Sequence, residues 1–137
     1  MNISRQQQSV LEALAEFRYL TIPQMVEMNI SKNADSLRNH TLNRLINSHR
    51  KAIKYHDFGW IPQRGRLARV YYLTHYGAEI LAEAWRMEAE RIEYPKGGIQ
   101  FSSDYTHRMN FIDFHISFKR WAEKENCLLY TSPSPRD

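Results

Sequence analysis

Between Asp35 and Ser48 the chain carries a group of side chains suited to hydrogen-bonding chemistry rather than bond-breaking. On a helix turning about 100° per residue, Ser36, His40, Asn43, Arg44 and Asn47 fall on one side, with Arg38 at its margin. Leu42, Leu45, Ile46 and His49 fall on the other. Arginine can bond bidentately to guanine and asparagine to adenine, and serine or histidine can take a base edge or a phosphate. An ordinary solvated helix face more often carries Glu and Lys. Leu37 and Thr41 fit this phase poorly, lying nearer the polar side than a core residue should.

Further along, Arg64 and Arg66 flank Gly65, and Lys51 and Arg69 begin two flanking β-rich runs. Basic side chains at a loop tip have little to pack against and are suited to phosphate or minor-groove contact. From Ser31 to Tyr76 nine basic residues face Asp35 and Asp57, a balance of +7 over 46 residues. The segments before and after carry −1 and −2, within a total of +4. The positive potential is thus concentrated where the polar helix face lies, as binding to a polyanion requires.

Catalytic and metal chemistry find less support. No Ser/His/Asp set, paired carboxylates or glycine-rich phosphate loop stands out, and the six histidines lack the spacing of a zinc site. His107, Asp113 and His115 share a helix, but residues two apart do not face one another. One cysteine, Cys127, allows no internal disulfide and no CxxC site. No enzyme activity, cofactor, metal or small-molecule ligand is expected from these residues. No run is long and apolar enough to span a bilayer, and MNISRQQQSV does not read as a secretory signal, so a cytoplasmic location without membrane contact is expected.

The elements that must position these groups follow from caps and periodicity. Ser4 caps a helix through about Phe17, with Val10, Leu11, Leu14 and Phe17 at helical spacing. Thr21 caps a second, TIPQMVEMN, with Gln24 at the capping-box position and Pro23 in the first turn. Ser31 or Asp35 caps the third, Ser36–Ser48. Then come a strand over Lys51–Trp60, a turn over Ile61–Ala68, a strand over Arg69–Leu73, and a helix Thr74–Trp85 capped by Thr74. That helix has an apolar stripe of Ile80, Leu81, Ala84, Trp85 and Met87. Pro62 ends the first strand, and in the second one of the pairs Val70/Tyr72 and Tyr71/Leu73 points inward. The expected fold is mainly α with a small β-hairpin, a winged helix-turn-helix over residues 1–93. A linker over 94–104 leads to a C-terminal helix over 105–126. Its aromatic stripe, Phe111, Phe114, Phe118 and Trp121, widened by Met109, Ile112 and Ile116, completes the core or joins a second subunit, with a homodimer favoured.

The run Arg69-Val70-Tyr71-Tyr72-Leu73-Thr74-His75-Tyr76-Gly77-Ala78 resembles the second wing strand and capped helix start of bacterial winged-helix proteins. Four features resemble the replication-relaxation family of plasmids and mobile elements. They are Phe17-Arg18-Tyr19-Leu20-Thr21, Leu42-Asn43-Arg44-Leu45-Ile46, the Tyr-x-Leu-Thr-x-x-Gly run Tyr71–Gly77, and the histidine-led helix start Thr106–Phe114. The likeness covers roughly residues 5 to 125. It implies double-stranded DNA as partner and a role in plasmid replication or mobilisation. A winged-helix repressor and a protein-interaction module are the alternatives. The chain departs from the family where a glycine usually closes the third helix, here Asn47–Ala52, and in not continuing far beyond the last helix. The end, CLLYTSPSPRD (Cys127–Asp137), resembles translated sequencing-adaptor read-through and is expected to be a disordered, foreign tail. The natural chain would then continue past about Asn126.

Overall fold

The computed structural model describes residues 3–47, 50–62, 65–95 and 105–131. It divides into two units, Met1–Ser103 and Asp104–Asp137. In the first, α1 (Arg5–Phe17) starts at a reciprocal capping box. The Ser4 amide donates to Gln7 Oε1 at 2.8 Å and the Gln7 amide to Ser4 Oγ at 3.1 Å. Val10, Leu11, Leu14 and Phe17 form its buried stripe. Leu20 then exchanges both backbone hydrogen bonds with Tyr71, so a single residue acts as a third strand beside the hairpin. A second capping box, Thr21 with Gln24, starts α2 (Ile22–Glu27).

The third helix is continuous over 34–46 but not uniform. It runs as α3 (Ala34–Ser36), a π-type stretch Leu37–Leu42, and α4 (Asn43–Ile46). Its cap is Asn33 rather than Ser31 or Asp35: Asn33 Oδ1 accepts from the amides of Asp35 at 2.8 Å and Ser36 at 3.2 Å. Ser31 is occupied elsewhere, with its hydroxyl bonded to the Asn33 backbone. The π-type stretch explains why Leu37 and Thr41 misfit a regular helix. The Asn43 amide reaches back to the Arg38 carbonyl, which puts one extra residue into the turn. Leu37 thereby takes the place of an i−4 neighbour of Leu42, and Leu37, Thr41, Leu42 and Leu45 share one buried side. Ile46 is half-buried, and His49 lies outside the described residues. The Thr41 hydroxyl donates to Gln6 Oε1, and Gln6 Nε2 donates to the Ile30 carbonyl at 3.1 Å, tying this helix to α1 and the α2 exit.

The hairpin is shorter and more broken than the alternation suggests. β1 (Ile53–His56) pairs antiparallel with β4 (Val70–Leu73) in the register Ile53↔Leu73 to His56↔Val70. The expected strand stops at Asp57, whose Oδ1 accepts from the Gly59 amide at 2.8 Å in an Asx turn. Gly59 has φ +77, a left-handed value that favours glycine. Beyond it β2 (Trp60–Ile61) and β3 (Gly65–Arg66) form a small hairpin of their own, so the expected turn Ile61–Ala68 is partly sheet. Tyr71 and Leu73 are the inward pair, Val70 is buried as well, and Tyr72 is half-exposed.

Thr74 caps α5 (His75–Trp85), its Oγ1 accepting from the Gly77 amide at 3.1 Å while its hydroxyl donates to the Lys51 carbonyl at 2.5 Å. The Thr74 amide donates to the Ala52 carbonyl at 3.1 Å. This draws the start of β1 so close to α5 that a Cβ on Gly77 would overlap the Ala52 oxygen. The buried side of α5 is Gly77, Ala78, Ile80, Leu81 and Ala82. Ala84 and Trp85 of the expected stripe are exposed instead and Met87 is half-exposed, because the helix ends at left-handed Arg86 with its last turn beyond the core. The Trp85 indole N–H donates to Glu12 at 2.9 Å.

In the second unit, α6 runs over Tyr105–Thr131. It passes the expected end at 126 because no helix breaker intervenes before Pro133; residues 132–137 lie outside the described residues. Its apolar residues form two faces rather than one wide stripe. Tyr105, Met109, Ile112 and Ile116 are buried, and Phe111, Phe114, Phe118 and Trp121 are exposed on the opposite side. The fold is therefore a mainly α-helical domain with a small β-hairpin, followed by an aromatic-rich C-terminal helix.

Candidate nucleic-acid interface

The core side of the 34–46 helix is fixed by Leu37, Leu42 and Leu45, each fully buried. That anchoring turns Ser36, Arg38, His40, Asn43 and Arg44 outward, with Asn47 just past the helix end, and all six are exposed. Asn39 joins them, brought to this side by the same helix. Asn47 Nδ2 donates to Asn43 Oδ1 at 2.5 Å, which leaves each amide further groups for an outside partner. Among the described residues no carboxylate pairs with Arg38 or Arg44. Two guanidiniums without a neutralising partner on a face of amides and hydroxyls can receive bases or phosphates without first breaking an ion pair.

The hairpin arginines are held differently. Arg66 pairs with Asp57, and Arg69 Nε lies 3.8 Å from the same carboxylate. Arg69 also stacks over Tyr55, 4.6 Å from the ring centroid, and bonds the Tyr71 hydroxyl. Burial holds the Tyr71 phenol above the ordinary tyrosine value, an effect that Arg69 partly offsets. Burial likewise raises Tyr72. Both phenols thus stay neutral near physiological pH. Arg69 braces the hairpin as much as it charges it. Arg64 lies outside the described residues.

Lys51 is exposed where the helix hands over to β1. It lines an open concavity of about 320 Å³ with Lys54, Ile46, Ile53, Tyr55 and Tyr72. With two lysines among its lining residues, this corner between helix end and hairpin is electropositive. Sequence reasoning missed Lys54, although its place next to buried Ile53 on a two-residue period marks it as outward-facing. It also missed Trp60. At 72% exposure this indole stands free on the small hairpin, lying across the bare Cα of Gly65 and paired in register with Arg66. A tryptophan bounded by Gly59 and Pro62 among arginines was the available signal.

Among the described residues no helix is long and apolar enough to cross a membrane, and no three His, Cys, Asp or Glu side chains converge as metal ligands would. No family model, curated protein or solved structure matches the chain.

Proposed function

We propose that residues 3–95 form a winged helix that binds double-stranded DNA. The 34–46 helix enters the major groove, and the hairpin with its tip meets the flanking backbone. The order of elements supports this: a helix, the one-residue strand at Leu20, two further helices, and a hairpin that closes on that strand. The observation that carries the proposal is the outward face of Arg38, His40, Asn43, Arg44 and Asn47. It lies inside a segment of net charge +7 and has no carboxylate among its own side chains. Arg44 and Asn43 are the base readers. Arg38, Lys51, Lys54 and Arg64 neutralise phosphates, and Arg66 joins them to the extent that Asp57 releases it. Trp60 lies against the sugar edge.

The resemblance to replication-relaxation proteins makes the role control of plasmid replication or mobilisation in the cytoplasm, by binding without catalysis. Titration of a labelled duplex, read by fluorescence anisotropy, tests the binding. Non-specific DNA should bind with a dissociation constant of about 10⁻⁴–10⁻⁶ M at physiological salt. Log K should fall against log salt with a slope of about −4, for four to five phosphates at about 0.9 each. Absence of binding at low salt, or a flat salt response, overturns the proposal.

A further inference from the structure

We infer that the chain forms a homodimer through the exposed face of α6, with Phe111, Phe114, Phe118 and Trp121 as its seam. This rests on the helix alone and is independent of the DNA reading. The four side chains are 66%, 68%, 54% and 57% exposed, an unusual burden of apolar surface for one face of one helix. Their intervals of three, four and three residues are the a/d spacing of a coiled-coil seam. The rings already form a row: Phe114 and Phe118 stack at 6.3 Å between centroids, and Phe118 meets Trp121 at 5.8 Å.

A second copy suits this surface for two reasons. A two-fold interface brings one patch onto itself, which an uncharged row of rings does at no electrostatic cost. The positions flanking the seam, Asn110, His115, Ser117 and Ala122, with Arg108 and Lys124 only at the ends, carry no charge pattern that would select a different partner. Lys119 and Glu123 pair with each other at 4.0 Å, away from the seam.

The area sets the strength. A large aromatic side chain buries about 150–250 Å², so at these exposures the four offer about 350–600 Å² per chain and about 700–1,200 Å² for a pair. That straddles the roughly 1,000 Å² needed for a specific interface. The dimer should therefore be weak, with a dissociation constant of about 1–100 µM.

Sedimentation equilibrium of the full chain from about 1 to 200 µM, bracketing that constant, tests it. The weight-average mass should climb from 16.3 kDa toward twice that value. The double variant Phe114→Ser/Phe118→Ser should keep its helical circular dichroism and cooperative melt, and associate at least tenfold more weakly. A wild-type chain monomeric throughout overturns the inference and assigns the face to another occupant. A double variant that still dimerises overturns it too, by locating the interface elsewhere. An unfolded double variant does the same, since the face would then belong to the chain's own core.

Discussion

Replacing Asp57 by asparagine isolates the one carboxylate that, among the described residues, pairs with the hairpin arginines Arg66 and Arg69. The substituted amide would keep an Oδ1 to accept from Gly59 N–H, now 2.8 Å from the aspartate oxygen, so the turn that ends β1 survives. What disappears is the negative charge shared by Arg66 and by Arg69 at 3.8 Å. These are surface pairs, with Arg66 and Asp57 side chains 52% and 32% exposed, so the loss in stability should stay within about 0.2–1 kcal/mol. DNA affinity should move the other way. Freeing one guanidinium adds about one phosphate contact and steepens the slope of log K against log salt by about 0.9. Fourfold dilution of salt, from 200 to 50 mM, should then enlarge the advantage of Asp57→Asn over wild type by about 3.5-fold, which is 4 raised to the power 0.9. Parallel anisotropy titrations of one random-sequence duplex over that range give the answer. An unchanged slope, or weaker binding by the variant at every salt concentration, would show that Asp57 does not hold Arg66 back from phosphate.

Three more expectations concern the scaffold and its tip. Gly77→Ala should lower stability by about 1–3 kcal/mol, because its Cβ would collide with the Ala52 carbonyl. In an open helix interior the same change gains about 0.5–1 kcal/mol, and a raised melting temperature would refute the close approach. Tyr71→Phe should flatten the alkaline limb of stability. Burial raises the phenol of folded Tyr71, so its contribution is whole below about pH 10, the unfolded value, and is lost as pH rises beyond that. Tyr72 leaves a residual fall, and denaturant melts with identical pH profiles for the two proteins would contradict the assignment. DNA should shield Trp60, so acrylamide quenching of the wild type should drop on adding duplex, and Trp60→Phe should lose most of that change.

The parts of the fold that hang on local chemistry were legible in the sequence. Ser4, Thr21 and Thr74 cap their helices because each stands three residues before an amide that its oxygen can reach. Gly77 was visible as a motif, but its reason, the carbonyl of Ala52 pressed against it, is a tertiary contact that spacing cannot reveal. The phase of the third helix was half legible. A regular period leaves Leu37 and Thr41 stranded, and that misfit is the trace of a π-type turn whose extra residue no fixed period contains. The break in the first strand was hidden because Asp57 and Gly59 act through a side chain-to-backbone bond, which alternation ignores. The aromatic helix was read as one broad stripe because composition cannot separate a buried face from an exposed one. The burial of Ile112 and Ile116 and the exposure of Phe114 and Phe118 do so. The basic residues were found in number, but their pairing was not: Arg66 and Arg69 share Asp57, whereas Arg38 and Arg44 do not.

That last contrast identifies the most direct test of DNA recognition by the 34–46 helix. Duplexes selected from a random library by the wild-type chain, and an unrelated duplex, should be titrated with wild type and with Arg44→Ala. Removal of a bidentate base contact should cost about 1–3 kcal/mol on the selected sequence, while the unrelated duplex loses only the small electrostatic share of one charge. Equal losses on both would reduce Arg44 to a phosphate contact. No loss on either would contradict DNA binding through this face.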